Sequence, residues 1–148
     1  MTSSGLEVEL IAHVIQLAVA PVFLLTGVGA LLSVMTNRLA RVIDRARVIE
    51  GFWQELNEAG RAAYRKELDI LESRARLASW AVNFCTSAAL LVCAVIATLF
   101  IDAFLGTNLK WLVGAFFVLT MLALICGLVI FLREVYLATH TLRIGPPK

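Results

Sequence analysis

Charge is scarce in this sequence: 16% of its 148 residues are Asp, Glu, Lys or Arg, while 60% are hydrophobic. Soluble globular domains are nearer ~45–50% apolar, so a chain of this composition has to be solvated by lipid. Cysteine is sparser still, with three residues. Cys85, Cys93 and Cys126 are odd in number and lie inside apolar runs, which excludes a disulfide framework and any C-x-x-C redox or zinc motif. Catalytic signatures are missing as well: there is no G-x-x-x-x-G-K-[ST] loop, G-x-S-x-G elbow, H-E-x-x-H or G-x-G-x-x-G. The expectation is a non-enzyme without metal or cofactor.

What is present is three long runs without a formal charge, Leu10 to Met35, Trp80 to Ile101 and Trp111 to Leu132. The first has 26 residues and as a helix would cover about 39 Å, more than the ~30 Å hydrocarbon core of a bilayer. It should be tilted or kinked, with Pro21 as the cause of a kink. Gly27, Gly29, Ala30 and Ser33 follow as a patch of small residues, Gly29 and Ser33 in the spacing that lets a second helix approach closely. In the second run Ala81, Cys85, Ala89, Cys93 and Ala97 recur at every fourth position, a ridge expected to meet another helix. His13 and Gln16, one turn apart near the outer end of the first run, suit a wet interface.

Nine of the thirteen Lys and Arg and seven of the eleven Asp and Glu lie between Arg38 and Arg76. Residues 37–79 form the one sizeable polar segment and are expected to fold as a helical hairpin with its turn region between Gly51 and Gly60. In its second arm Tyr64, Leu68, Leu71, Ala75 and Ala78 repeat at alternating four and three, a seam able to pack on the apolar side of the first arm. The first arm opens with Asn37 to Arg47. On a helical wheel Asn37, Arg38, Arg41, Asp44, Arg45 and Val48 share one face, and Leu39, Val42, Ile43 and Ala46 the other. Asn37, Arg41 and Asp44 are close enough on that wheel to form a hydrogen-bonded set, guanidinium matched to carboxylate. The near balance of charge over the hairpin argues against nucleic-acid binding.

The expected fold is therefore all-α: an integral membrane protein of one domain, residues 1–148, with spans at about 10–35, 80–101 and 111–132, a hairpin at about 37–79 and a tail at 133–148. Arg133 and Glu134 end the third run, and Gly145, Pro146 and Pro147 close the tail. The N-terminus carries no Lys or Arg before Arg38, and Lys110 is the one basic residue between the second and third spans. By the asymmetry of basic residues the N-terminus should lie outside, and the hairpin and C-terminus in the cytoplasm.

Pro21, the small-residue half-span after it and the block Asn-Arg-Leu-x-Arg-Val-Ile-Asp-Arg-x-Arg at 37–47 resemble the bacterial membrane proteins grouped as domain of unknown function 2721. The resemblance implies a bacterial inner-membrane protein and brings no activity with it. Arg38, Arg41, Arg45 and Arg47, with Asn37 and Asp44, form the candidate functional motif. Just beyond a membrane boundary each basic residue gains about 1 kcal/mol from an anionic leaflet. The function expected first is that of a homo-oligomer or accessory subunit whose hairpin binds a membrane or cytosolic protein partner or anionic headgroups. A second is an oligomeric ion channel or transporter component with the arginine face at its cytoplasmic mouth. A third is an insertase-like biogenesis factor, by analogy of architecture, against which the uncharged spans count.

Overall fold

The computed structural model describes residues 3–106 and 108–140. They form helix α1 (Ser3–Gly51), a 3-10 turn at Trp53–Glu55, helix α2 (Glu58–Leu105) and helix α3 (Lys110–His140). All three α-helices are long and apolar enough to cross a membrane. With 49 and 48 residues, α1 and α2 are each about 70 Å long, over twice the ~30 Å hydrocarbon thickness. Each therefore holds one expected span and one arm of the hairpin in a single helix. The expected helix stop at Gly145, Pro146 and Pro147 lies outside the described residues.

Two compact units are distinguishable. One comprises Met1–Leu32 and Phe84–Ile125, the other Ser33–Asn83 and Cys126–Lys148. In the first, Val14, Ala18, Val28, Cys85, Ala88, Val92, Val95 and Leu124 are buried. Its buried hydroxyls are satisfied within their own helices: Thr98 donates to the Ala94 carbonyl at 2.7 Å and Thr120 to that of Phe116 at 2.8 Å. Such back-bonding is how a hydroxyl is tolerated where water is absent. Large apolar side chains point outward in the same unit, Phe23 at 73% and Leu90 at 68% exposure. An apolar exterior of this kind calls for lipid.

The small residues of α1 and α2 differ in how the single chain covers them. Pro21 is buried and α1 continues unbroken across it. Gly27, Gly29 and Ser33 are exposed, and a Cβ added at either glycine would meet nothing within 4 Å. In α2, Ala81 and Cys85 are buried, but Cys93 and Ala97 are exposed. The buried line runs through Leu71, Ala78, Cys85 and Val92, with Ala81 and Ala88 between and Val95 beyond. Steps of four drift about 40° each around a helix of 3.6 residues per turn, whereas alternating three and four stay on one side. The same period governs α1, in which Val14, Pro21, Val28, Met35, Val42 and Ile49 are buried at every seventh position.

In the second unit the hairpin closes on a core of Val42, Ile49 and Leu71, with Ala46, Phe52, Trp53, Tyr64, Leu68 and Ala75 packed against it. The seam read from the second arm is thus the packing surface. Phe52 and Tyr64 meet edge to face, ring centroids 5.3 Å apart, which fixes the chain where it reverses. Asn57 then caps α2, its side-chain oxygen accepting from the Gly60 amide at 2.8 Å. A Cβ on Gly60 would lie 3.1 Å from that oxygen and 3.3 Å from Leu56, so a larger residue there requires those side chains to give by a few tenths of an ångström. At the other end of α2, Gly106 takes a φ of 63° and stops the helix, while the Asp102 carboxylate accepts from the Leu109 amide at 2.9 Å.

Candidate functional site

The second unit contains a buried charge. Glu134 on α3 has no exposed surface, and a carboxylate taken out of water at that depth is tolerated only if paired. Arg74 on α2 provides the pairing, its Nη2 and Nε donating to Oε1 at 3.0 and 3.2 Å. Arg38 on α1 approaches the other oxygen, Nε to Oε2 at 3.5 Å, an ion pair that does not make Oε2 a hydrogen-bond acceptor. The Arg38 guanidinium also lies over the Phe131 ring, 5.5 Å from its centroid, a cation–π contact. Phe131 and Glu134 are three apart on α3, so one helical face supplies both contacts.

The three charged groups stand at or beside the buried lines of their helices. On α3 the line is Thr120, Leu124, Gly127 and Glu134, with Phe131 half-buried. Arg74 lies between Leu71 and Ala78, and Arg38 between Met35 and Val42. Together they make a polar layer among aliphatic ones, at the ends of the first and third apolar runs. Sequence reasoning missed Glu134 and Arg74 as site residues. The available signal was the seven-residue spacing from Thr120 through Gly127 to Glu134, which puts the sole acid after Asp102 on the packed side of its helix.

The candidate motif divides around this layer. Arg38 leaves the polar face assigned to it and turns inward. Arg45 bonds Glu67 on α2, Nε and Nη2 each 2.9 Å from Oε1. Arg41 is exposed, and its Nε donates to the carbonyl of Asn37 at 3.4 Å. Asp44 is exposed too, and no ion pair joins it to Arg41 among the described residues. The expected Asn37, Arg41 and Asp44 set is thereby reduced to that one backbone contact. Arg47 is exposed on the far side, where with Glu50, Asp69 and Glu72 it borders a groove floored by Val42, Leu68 and Leu71.

Two further grooves flank the layer. One, of about 490 Å³, is lined by Arg38, Arg41 and Arg45 of α1 and Arg74 of α2 over Val34, Val42 and Leu71. No carboxylate among the described residues lines it. The other, of about 960 Å³, is walled by α2 and α3, with Asp69 and Glu72 against Arg76 and Arg133 around Leu77, Leu132 and Leu137. Its charges balance, so it offers no preference for either sign. Among the described residues no three His, Cys, Asp or Glu side chains gather as metal ligands would.

No curated protein and no solved structure matches the chain. A family model described as "Protein of unknown function (DUF2721)" matches residues 18–144, a range that takes in α1 from its buried face at Ala18, the hairpin, and the Arg38, Arg74 and Glu134 layer. The chain therefore belongs to the DUF2721 family, with three helices long and apolar enough to span a membrane.

Proposed function

We propose that this chain is a non-enzymatic multi-pass protein of a bacterial inner membrane, with its N-terminus outside and its hairpin and tail in the cytoplasm. It acts as a homo-oligomer or accessory subunit, and its arginine face binds a membrane or cytosolic partner or anionic headgroups. The observation that carries this reading is the division of labour among the arginines. The hairpin is held shut by its own apolar core, and the buried layer uses Arg38 and Arg74. Arg41 and Arg47 are left exposed after an apolar run, while Arg45 is half-exposed in its pair with Glu67. Cations that the fold does not need internally, at a membrane boundary, are available for a partner. The open Gly27 and Gly29 side of α1 supports self-association, because small residues let helix backbones approach in lipid.

The mass of the wild-type chain and of Arg41→Ala in native lipid discs tests the reading. A defined oligomer, or a co-purifying partner that Arg41→Ala releases, is the expected result. A lone monomer with no partner would reject it. A closed ring with the arginine faces turned to its axis would favour the channel reading instead and direct attention to anion flux.

A further inference from the structure

We infer that the groove between Arg38, Arg41, Arg45 and Arg74 is a binding site for a phosphate-bearing anion. This deepens the proposed function and rests on its placement of the arginine face at the cytoplasmic leaflet. Four guanidinium groups line the groove, and the structure gives them two carboxylates, neither of which lines it. Glu134 is shared between Arg38 and Arg74 and is fully buried behind them. Glu67 takes Arg45 from the side, and both partners of that pair remain partly exposed. Arg41 has only a backbone carbonyl. The groove thus keeps an excess of positive charge that its own walls do not cancel.

Guanidinium forks match the oxygens of a phosphate in pairs, as an ammonium does not. Arg38, Arg41 and Arg45 follow one another at three and four along α1, and Arg74 faces them from α2, so several forks can reach one tetrahedral group. The fixed ion pairs hold Arg38 and Arg74 in place beforehand, which lowers the entropy lost when a ligand arrives. The two other grooves of this unit discriminate the assignment. Each is lined by carboxylates as well as arginines, and neither has a net preference for an anion.

The ligand phosphate can come from a lipid headgroup or from a soluble phosphate compound, and the shape of the groove bears on the choice. Val34 lies at one end, within the uncharged run of α1, and Arg45 at the other. Eleven residues of helix separate them, roughly 16 Å, enough for an acyl chain to leave along the apolar end while the phosphate stays among the guanidiniums.

The test uses the full chain in mild detergent, with phosphatidylglycerol or phosphatidylcholine titrated in and bound lipid counted per subunit by native mass spectrometry. Wild type and the control Arg65→Gln/Lys66→Gln, two exposed basic residues outside the groove, should hold phosphatidylglycerol alike. Arg41→Gln/Arg45→Gln should bind it about thirtyfold more weakly. Inorganic phosphate in excess identifies the source. Failure to displace the lipid supports a headgroup, and displacement that also needs Arg41 and Arg45 supports a soluble phosphate at the same site. Equal binding by all three proteins, or an equal loss in both double variants, would overturn the site. If the double variant loses helix content, Arg41→Gln alone gives the same decision. Because lipid is counted per subunit, the result stands apart from the oligomer mass that tests the broader reading.

Discussion

Arg74 reaches Glu134 across sixty residues of chain and puts two donors on one carboxylate oxygen, at 3.0 and 3.2 Å. Arg38 closes the other side of the same carboxylate at 3.5 Å. A buried ion pair adds little net stability compared with well-packed apolar groups, but breaking one is expensive, because the remaining charge is left without a partner. The layer therefore acts as a specification: α1, α2 and α3 fit together in this unit only when these three side chains arrive at one level. A polar residue in an otherwise apolar seam is the best-attested device for fixing register.

Replacing Glu134 by Gln should lower stability by about 2–3 kcal/mol, somewhat below the ~3–5 kcal/mol of a fully buried pair. The moderation comes from Arg74 and Arg38, whose side chains are 21% and 31% exposed and can turn partly toward water. Glu67→Gln removes the other inter-helix carboxylate but should cost no more than ~1 kcal/mol, since that pair is exposed. Thermal unfolding of both variants in the same detergent compares them directly. Equal melting temperatures would show that burial of Glu134 confers no special role. A double-mutant cycle of Arg74→Met with Glu134→Gln should give a coupling of ~1–3 kcal/mol.

Ile49 should matter far more than Ile43, although both are isoleucines on the same helix. Ile49 is fully buried against the hairpin core, and Ile43 is 37% exposed. Ile49→Ala leaves a cavity and should cost ~2–5 kcal/mol, whereas Ile43→Ala should stay within about 1 kcal/mol. Limited proteolysis at residues 52–57 reads the difference, with Ile49→Ala cut faster and Ile43→Ala cut like wild type. Similar cleavage of both would mean that the hairpin does not close on this core.

Gly29 separates the fold of one chain from its assembly. Nothing in the single chain lies within 4 Å of a Cβ there, so Gly29→Ala should leave the subunit as stable as wild type, or about 0.8–1 kcal/mol more stable from helix propensity. Gly29→Leu should leave helix content unchanged and reduce the mass in lipid discs. Unchanged mass would remove the Gly27, Gly29 and Ser33 side of α1 from any subunit contact.

The sequence was most informative where chemistry and period agree. Three uncharged runs lie inside three helices, and the four-three spacing of Tyr64, Leu68, Leu71 and Ala75 marks the hairpin seam, because apolar side chains on one helical side must find cover. Arg38 departs from the face that a helical wheel gives it. A helical wheel gives the direction of a Cα–Cβ bond, but an arginine stem is long enough to carry its guanidinium around to Glu134. Glu134 itself looked like the polar end of a span. Its burial depends on Arg74, sixty residues away, and nothing local to either residue announces such a partnership. The every-fourth ridge in α2 leaves the packed line of the single chain at Cys93 and Ala97 for a different reason, since residue size says where close approach is feasible and helical period says where it occurs.

The polar layer also bears on how the chain is put together. Synthesis runs from the N-terminus, so Arg38 and Arg74 are made before Glu134. Until α3 is in place the two guanidiniums confront each other without a counter-charge, and α1 with α2 is an unfinished pair whose like charges push apart. The last helix brings the missing carboxylate at its far end, after its whole apolar length has passed. A chain cut before Glu134 is therefore expected to leave Arg38 and Arg74 without the carboxylate that pairs them.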